Sequence, residues 1–284
     1  MLKNERYIDL HLHTKFSDGE RSLDETIDDA KKAGLSAIAI TDHNNLAIHS
    51  TIYTDSLEVI PGSEFSTTYK YGAGKKAEVH VVGLFFNGVD PSINSVFRQI
   101  NKNAYVEAII AKLNTLGIPV SMEELKERNQ TSKQYGRMMI ADLIIEKGFA
   151  ADRNEAMDRW IGNFSPYYIN SLDYINYIDT EEGVRHICEH GGLPILAHPF
   201  HYKMTRDEIE ELVERFRSVT DQPLGIEVYY AKYSEEQVHY LEMLADKHHL
   251  LRSASSDRHR LDQPFMKGRY ELLLEMKKAM GVNV

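Results

Sequence analysis

The sequence predicts an α/β fold: a mostly parallel sheet or barrel with helices outside and a small helical insert. Three observations carry this expectation. Strand-like and helix-like segments alternate up to residue 86 and again from residue 181. From about residue 90 to 163 the apolar residues recur almost purely at helical spacing. His and acidic residues recur at the ends of the strand-like runs, which is where a β/α barrel builds its active site. The expected division is therefore an α/β body over 1–89 and 164–284, with 90–163 as a helical insert serving as lid or substrate domain.

The first strand is expected over 6–10 and runs into His11-Leu12-His13, with Asp18 one loop later. Residues two apart on a strand share a face, so His11 and His13 project together. A helix follows over 22–33, with Ser22 as N-cap, Glu25 at the capping-box position and Gly34 as its stop. A buried strand over 35–40 closes on Thr41-Asp42-His43. A strand over 57–60 precedes Pro61-Gly62-Ser63-Glu64, and a longer one over 77–86 carries His80. Helices are expected over 92–116, 122–128, 136–147 and 153–162. The α/β rhythm then returns, with helices over 181–190, 206–219 and 234–248. The strands of this part are expected over 193–197, 224–229 and 250–255; the first leads into His198 and the last into Asp257 and His259.

Composition narrows the function. A chain of 284 residues suffices for one large α/β domain or a core plus an insert. The net charge of -10 argues against a sequence-independent grip on nucleic acid, but leaves room for a short phosphorylated substrate held locally. The single cysteine, Cys188, forms no intrachain disulfide and suits a reducing cytoplasm; beside Ile187 on a helical pattern it reads as a buried small residue. The N-terminal segment shows no signal-peptide core, and no apolar run approaches the ~18 residues of a membrane span. The expected location is cytoplasmic, with no membrane partner and no protein partner readable from the sequence.

The candidate metal ligands are His11, His13, Asp18, His43, Glu64, His80, His198, Asp257 and His259. Mixed imidazole and carboxylate donors suit Zn, Mn or Fe, and a shared carboxylate such as Glu64 can bridge two ions. Asp42 is expected to orient His43, as carboxylates do for metal-bound imidazoles. Tyr167 and Tyr168, with Trp160 nearby, suit either stacking on a base or packing between insert and body.

Six segments, D-L-H-L-H (9–13), S-D-G (17–19), I-T-D-H (40–43), P-G-S-E (61–64), A-H-P (197–199) and S-S-D-R-H (255–259), resemble in order the PHP (polymerase and histidinol phosphatase) family of amidohydrolase-like metal hydrolases. The resemblance implies a distorted (β/α)7 barrel with an inserted helical domain and about three divalent transition metal ions (Mn, Zn or Fe). By position, His11, His13, Glu64 and Asp257 hold one ion, Glu64, His80 and His198 a second, and Asp18, His43 and His259 a third. The stretch G-R-M-M-I-A-D-L-I-I-E-K-G (136–148) resembles a nucleotide-phosphate subgroup whose Arg reaches the substrate phosphate, which assigns that role to Arg137. Two positions depart from the subgroup: Arg260 stands for a Gly, and His201 for an expected Arg. Arg258 and Arg260 thereby join Arg137 as phosphate candidates, and His201 becomes a candidate substrate contact or proton donor.

The resulting expectation is a metal-dependent phosphoesterase in which a hydroxide bridging two ions attacks the phosphate of a small metabolite, with Asp257, Arg137 and His201 as the catalytic set. The best-fitting substrate is a nucleotide, in a nucleoside 3′,5′-bisphosphate-type phosphomonoesterase. A cyclic phosphodiesterase or a 5′-3′ exonuclease on short RNA ends is the alternative. Outside this class stand a C–N hydrolase and a non-catalytic PHP module.

Overall fold

The structure is a computed structural model and describes residues 5–89, 93–98, 103–128 and 135–282. Its first strand is β1 (Tyr7–Leu12), whose register against the neighbouring strand shifts between Asp9 and Leu12. Ile8 and Leu10 share an apolar core with Ala39, Ile60, Val82 and Ile195 of other strands and with Leu273 and Met276, while Leu12 packs with Ala30 and Leu35. Asp9 and His11 are fully buried.

α1 (Leu23–Lys32) starts at the expected capping box: Ser22 accepts from the Glu25 backbone, and the Glu25 side chain accepts from the Ser22 backbone. The chain continues through β2 (Leu35–Ile40), β3 (Ile52–Tyr53), β4 (Glu58–Tyr71), β5 (Lys75–Leu84) and α2 (Ile93–Arg98). Next come α3 (Asn103–Thr115), α4 (Met122–Arg128), α5 (Arg137–Glu146) and α6 (Arg153–Ala156), the last running into a π-helical turn, Met157–Ile161. The body resumes with α7 (Thr180–Glu189), β6 (Leu193–Leu196), α8 (Arg206–Arg217), β7 (Gly225–Tyr230), α9 (Glu235–Lys247), β8 (Leu251–Ser255), β9 (Gly268–Arg269) and α10 (Tyr270–Met280). The expected helix 92–116 contains α2 and α3; residues 92 and 99–102 lie outside the described residues.

The strands follow the order β8-β7-β6-β5-β4-β2-β1-β9, with β3 on β4. Beyond β8 the chain returns to β1: the His13 amide donates to the Arg258 carbonyl at 3.0 Å, and the Asp257 amide to the His11 carbonyl at 3.0 Å. The sheet thus curls into a nearly closed, distorted α/β barrel. Among the described residues, β1, β2 and β4 to β8 are the longer strands, and β3 and β9 are two-residue additions.

The sheet is mixed rather than mostly parallel. β1–β2, β2–β4, β6–β7 and β7–β8 pair in parallel, but β4–β5 and β5–β6 pair antiparallel. Pro61-Gly62, expected to end a short strand, instead lies inside one long strand. β4 pairs with β2 along one edge, continued by His43 opposite Glu64, and with β5 along the other edge from Gly62 onward. A side chain at residue 62 would come within 2.8 Å of the Gly83 carbonyl oxygen, so the close approach of β5 requires glycine.

The chain divides into two compact units, Met1–Arg98 with Tyr177–Val284, and Gln99–Asn176, so both boundaries fall later than 89/90 and 163/164. In the first unit, Val184, Ile187, Leu212, Phe216, Leu241 and Leu244 of the outer helices share a core with Val79, Val81 and Ile226 of the strands. In the helical unit Trp160 stacks on Tyr167, 5.9 Å between centroids, and donates to the Phe149 carbonyl at 3.0 Å. No helix among the described residues is long and apolar enough to cross a membrane.

Candidate metal centre

The expected ligands converge within the first unit. β1 delivers His11 and His13. β2 delivers His43, whose backbone continues the pairing with Glu64 on β4. His198 follows β6, and Asp257 and His259 follow β8. His80 sits mid-strand for a topological reason. β5 runs against β4, so it passes the site in its middle and its C-terminus points away.

Glu64 is the hub and is 1% exposed. Its Oε1 lies 2.6 Å from His80 Nδ1 and 2.9 Å from His198 Nε2. Its Oε2 lies 2.9 Å from His43 Nδ1 and 3.3 Å from the Nε2 atoms of both His11 and His13. His11 Nε2 and His13 Nε2 are 3.1 Å apart, and Asp257 Oδ1 stands 3.6 and 3.1 Å from them. Around Asp18, Oδ1 lies 3.3 Å from His259 Nε2 and 3.8 Å from His13 Nδ1, and Oδ2 lies 3.8 Å from His43 Nε2.

These spacings define three groups of candidate donors: His11, His13, Glu64 and Asp257; His13, Asp18, His43 and His259; and His43, Glu64 and His80. The first is the set expected for one ion. In the others His13 joins Asp18, His43 and His259, and His43 joins Glu64 and His80, while His198 reaches the hub through Glu64 Oε1.

The donor set fits divalent transition metals on two counts. Donors about 2.0–2.2 Å from a tetrahedral ion stand roughly 3.3–3.6 Å from each other, and the separations in the first group span 3.1 to 3.6 Å. Furthermore, the buried atoms Glu64 Oε2, Asp18 Oδ1 and His198 Nδ1 have no hydrogen-bond partner. Oxygens so placed are satisfied by a cation and are expensive to leave bare.

Electrostatics point the same way. Burial alone would raise the carboxyls of Glu64, Asp18 and Asp257, but neighbouring imidazoles hold all three well below the usual carboxylate range. Burial pushes the His43 imidazole down. For His13 and His80, burial alone would lower the value, yet Asp257 and Glu64 raise His13 to about 10, and Glu64 and Glu78 raise His80 to about 10. The pocket thus collects anionic oxygens that favour positive charge. Positive-φ, non-glycine residues cluster here as well: Asn44 at φ 47°, His198 at φ 26° and Asp257 at φ 52°.

Several side chains take other roles than expected. Asp42 accepts from the Thr14 amide and hydroxyl, both at 2.8 Å, and from the Ser17 hydroxyl at 2.6 Å, so it shapes the loop between His13 and Asp18 instead of orienting His43. Arg258 is buried and committed. Its guanidinium donates to the Gln263 carbonyl at 2.9 Å and the Leu261 carbonyl at 3.3 Å, pairs with Asp29 at 3.4 Å and lies over the Phe265 ring, which makes it a brace of the loop rather than a phosphate contact. Arg260 forms a two-pronged pair with Asp262, at 2.9 and 2.8 Å. Arg137, in the helical unit, donates to the Asn163 side chain at 2.5 Å.

His201 lies on the turn Pro199–Tyr202, its ring 4.9 Å from those of His198 and Tyr230. Burial, with His198 beside it, pushes it down to about 4. It is therefore neutral near pH 7 and does not supply an acidic proton there. Cys188 is buried, which pushes its thiol up to about 11, as suits a packing residue.

Residues passed over in the sequence complete the site. Glu227 on β7 contacts His11 Nδ1 at 2.7 Å and accepts from the His198 amide at 2.7 Å. Tyr230 donates to Asp257 Oδ2 at 3.1 Å. Asp9 accepts from the Ser256 amide at 3.0 Å, the Ser256 hydroxyl at 2.5 Å and the Met266 amide at 2.9 Å, which ties β1 to the loop bearing Asp257. A buried acid within the apolar run Gly225–Tyr230 was the available signal for Glu227.

Comparison with known proteins agrees with this geometry. The family model described as PHP domain matches residues 9–228. The chain is 27% identical over 258 residues to the 3′,5′-nucleoside bisphosphate phosphatase of Chromobacterium violaceum, covering 89% of this chain and 87% of that protein. It is 26% identical over 259 residues to a 5′-3′ exoribonuclease of Escherichia coli, covering 88% of this chain and 84% of that one. The solved structure of an amidohydrolase from Chromobacterium violaceum with bound sulfate is similar at a TM-score of 0.74 and 25% identity, covering 95% of this chain and 96% of that chain.

Proposed function

This chain belongs to the PHP domain family, and from that premise we propose that it is a metal-dependent phosphoesterase acting on a small nucleotide, as a nucleoside 3′,5′-bisphosphate-type phosphomonoesterase. The observation that carries the reading is the division of Glu64. One buried carboxylate offers one oxygen to His80 and His198 and the other to His11, His13 and His43, the arrangement of a group shared between two cations.

Divalent ions bound here would neutralise charge building on the phosphate oxygens and lower the pKa of water from ~15.7 toward about 7. His11, His13, Glu64 and Asp257 would hold one ion, and Asp18, His43, His80, His198 and His259 would complete the set. Tyr230 fixes the second oxygen of Asp257 and so keeps Oδ1 turned to the imidazoles. His201, neutral near pH 7, would hydrogen-bond the leaving oxygen rather than protonate it. Arg137 would clamp the substrate phosphate with its guanidinium fork.

A panel of nucleoside mono-, bis- and cyclic phosphates and short 5′-phosphorylated RNAs, assayed for phosphate and nucleotide release with Mn, Zn and Fe, tests the proposal. Preferred release of phosphate from a 3′,5′-bisphosphate is the expected result. Preferred stepwise release of nucleotides from RNA would replace the substrate assignment, and inactivity on all phosphate esters with metal bound would end it.

A further inference from the structure

We propose that Glu227 is a positioning residue of the metal centre: it holds His11 as the tautomer protonated on Nδ1, so that Nε2 faces the ion, and it fixes the backbone turn that presents His198. The inference rests on the metal-centre reading above but not on the identity of the substrate.

Both oxygens of Glu227 are engaged, and with different elements. Oε1 lies 2.7 Å from Nδ1 of His11 on β1, and Oε2 accepts from the backbone amide of His198, beyond β6, at 2.7 Å. The carboxylate is 1% exposed, so neither contact is a surface accident. His11 has two ring nitrogens. Nε2 faces Glu64 Oε2, His13 Nε2 and Asp257 Oδ1, all acceptors toward a cation. Nδ1 faces Glu227. A carboxylate only accepts, so the proton of neutral His11 sits on Nδ1, and the lone pair of Nε2 is left for an ion.

The second contact has its own reason. His198 has φ 26° and ψ 61°, a backbone region that residues with a Cβ rarely occupy. A charged acceptor on its amide holds the chain in that turn, which carries Nε2 to 2.9 Å from Glu64 Oε1. One carboxylate therefore sets two neighbouring imidazoles that reach different oxygens of the hub. Delivery depends on an irregularity of β7, whose register against β8 shifts between Glu227 and Tyr229. The bulge lets Glu227 and Tyr230, three residues apart, both turn to the site, while the Tyr229 hydroxyl donates to Glu242 at 2.8 Å.

Glu227→Gln separates positioning from mere packing. The amide has the same shape and still makes two hydrogen bonds. Its oxygen must serve the His198 amide, which only donates, so its NH2 faces His11 Nδ1 and drives the proton to Nε2. The full chain would be titrated with zinc alone against a competing chelator, with metal content measured per chain and folding followed by circular dichroism. The expected result is a folded variant whose zinc affinity falls roughly 10- to 100-fold. A folded variant with unchanged zinc affinity and stoichiometry overturns the proposal. Should the variant not fold, nitrogen-15 imidazole NMR of the zinc-loaded wild type decides: a proton on His11 Nδ1 is expected, and its absence overturns the proposal. A protein that binds zinc as described but hydrolyses no phosphate ester would overturn the phosphoesterase reading alone, whereas a wild type that binds no zinc overturns both.

Discussion

His13 Nε2 and Asp257 Oδ1, from opposite ends of the chain, stand 3.1 Å apart inside the barrel. Two acceptor-bearing groups so close in a largely buried pocket are stable together only with a proton or a cation between them. Asp257→Asn keeps the shape but replaces one oxygen by NH2. It is expected to reduce kcat/KM by more than about 100-fold, since loss of a ligand exceeds the loss of an outer-shell partner, while leaving the circular dichroism spectrum in place. A variant with near wild-type turnover would contradict the ligand set.

Zinc binding should release protons. Carboxylates raise the His13 and His80 imidazoles to about 10, so both are charged at pH 8 before an ion arrives. A ligand imidazole must be neutral, and against its burial the carboxylates around His11 hold it well above its ordinary value too, so binding at pH 8 is expected to expel at least about two protons. The sign follows directly: lower pH favours the protonated imidazoles, and apparent affinity falls as pH drops from 8 to 6. Calorimetry in two buffers of different ionisation enthalpy measures the number, and zero protons released would show that these groups are not displaced.

Arg137→Ala tests the phosphate clamp assigned by resemblance. A charge-assisted bond to an anion contributes about 1.5–3 kcal/mol, so kcat/KM for the preferred phosphate ester should fall roughly 10- to 100-fold with zinc affinity unchanged. Equal kcat/KM for wild type and variant across the substrate panel would remove Arg137 from the site.

Stability has a separate anchor. Lys277 on α10 sits 3% exposed with its Nζ 2.7 and 2.8 Å from the two oxygens of Glu58 on β4. Lys277→Ala leaves a buried carboxylate unpaired and is expected to lower unfolding free energy by about 3–5 kcal/mol. Urea denaturation with an unchanged slope would register that loss, and a change under about 1 kcal/mol would mean the carboxylate finds water.

Local pattern alone settled much of this protein. The capping box of α1 was readable because Ser22 and Glu25 are three residues apart and the side chain of each bonds to the other's backbone. His11 and His13 were readable because the strand period puts them on one face, and the remaining candidate donors except His80 because they recur beside strand ends. Three-dimensional packing decided the rest. The antiparallel run of β5 put His80 in mid-strand, and Pro61-Gly62, a turn by local chemistry, became the interior of a strand paired on both edges. Asp42 turned to the Thr14 loop and Arg258 to loop carbonyls because burial forced each to satisfy whichever polar groups lay nearest. Glu227 was decided last and least locally: its role comes from a bulge in β7 and from two partners, one on β1 and one just beyond β6. Sequence period dictates which face a residue takes, but which atoms meet across a barrel depends on register, and register belongs to the whole sheet.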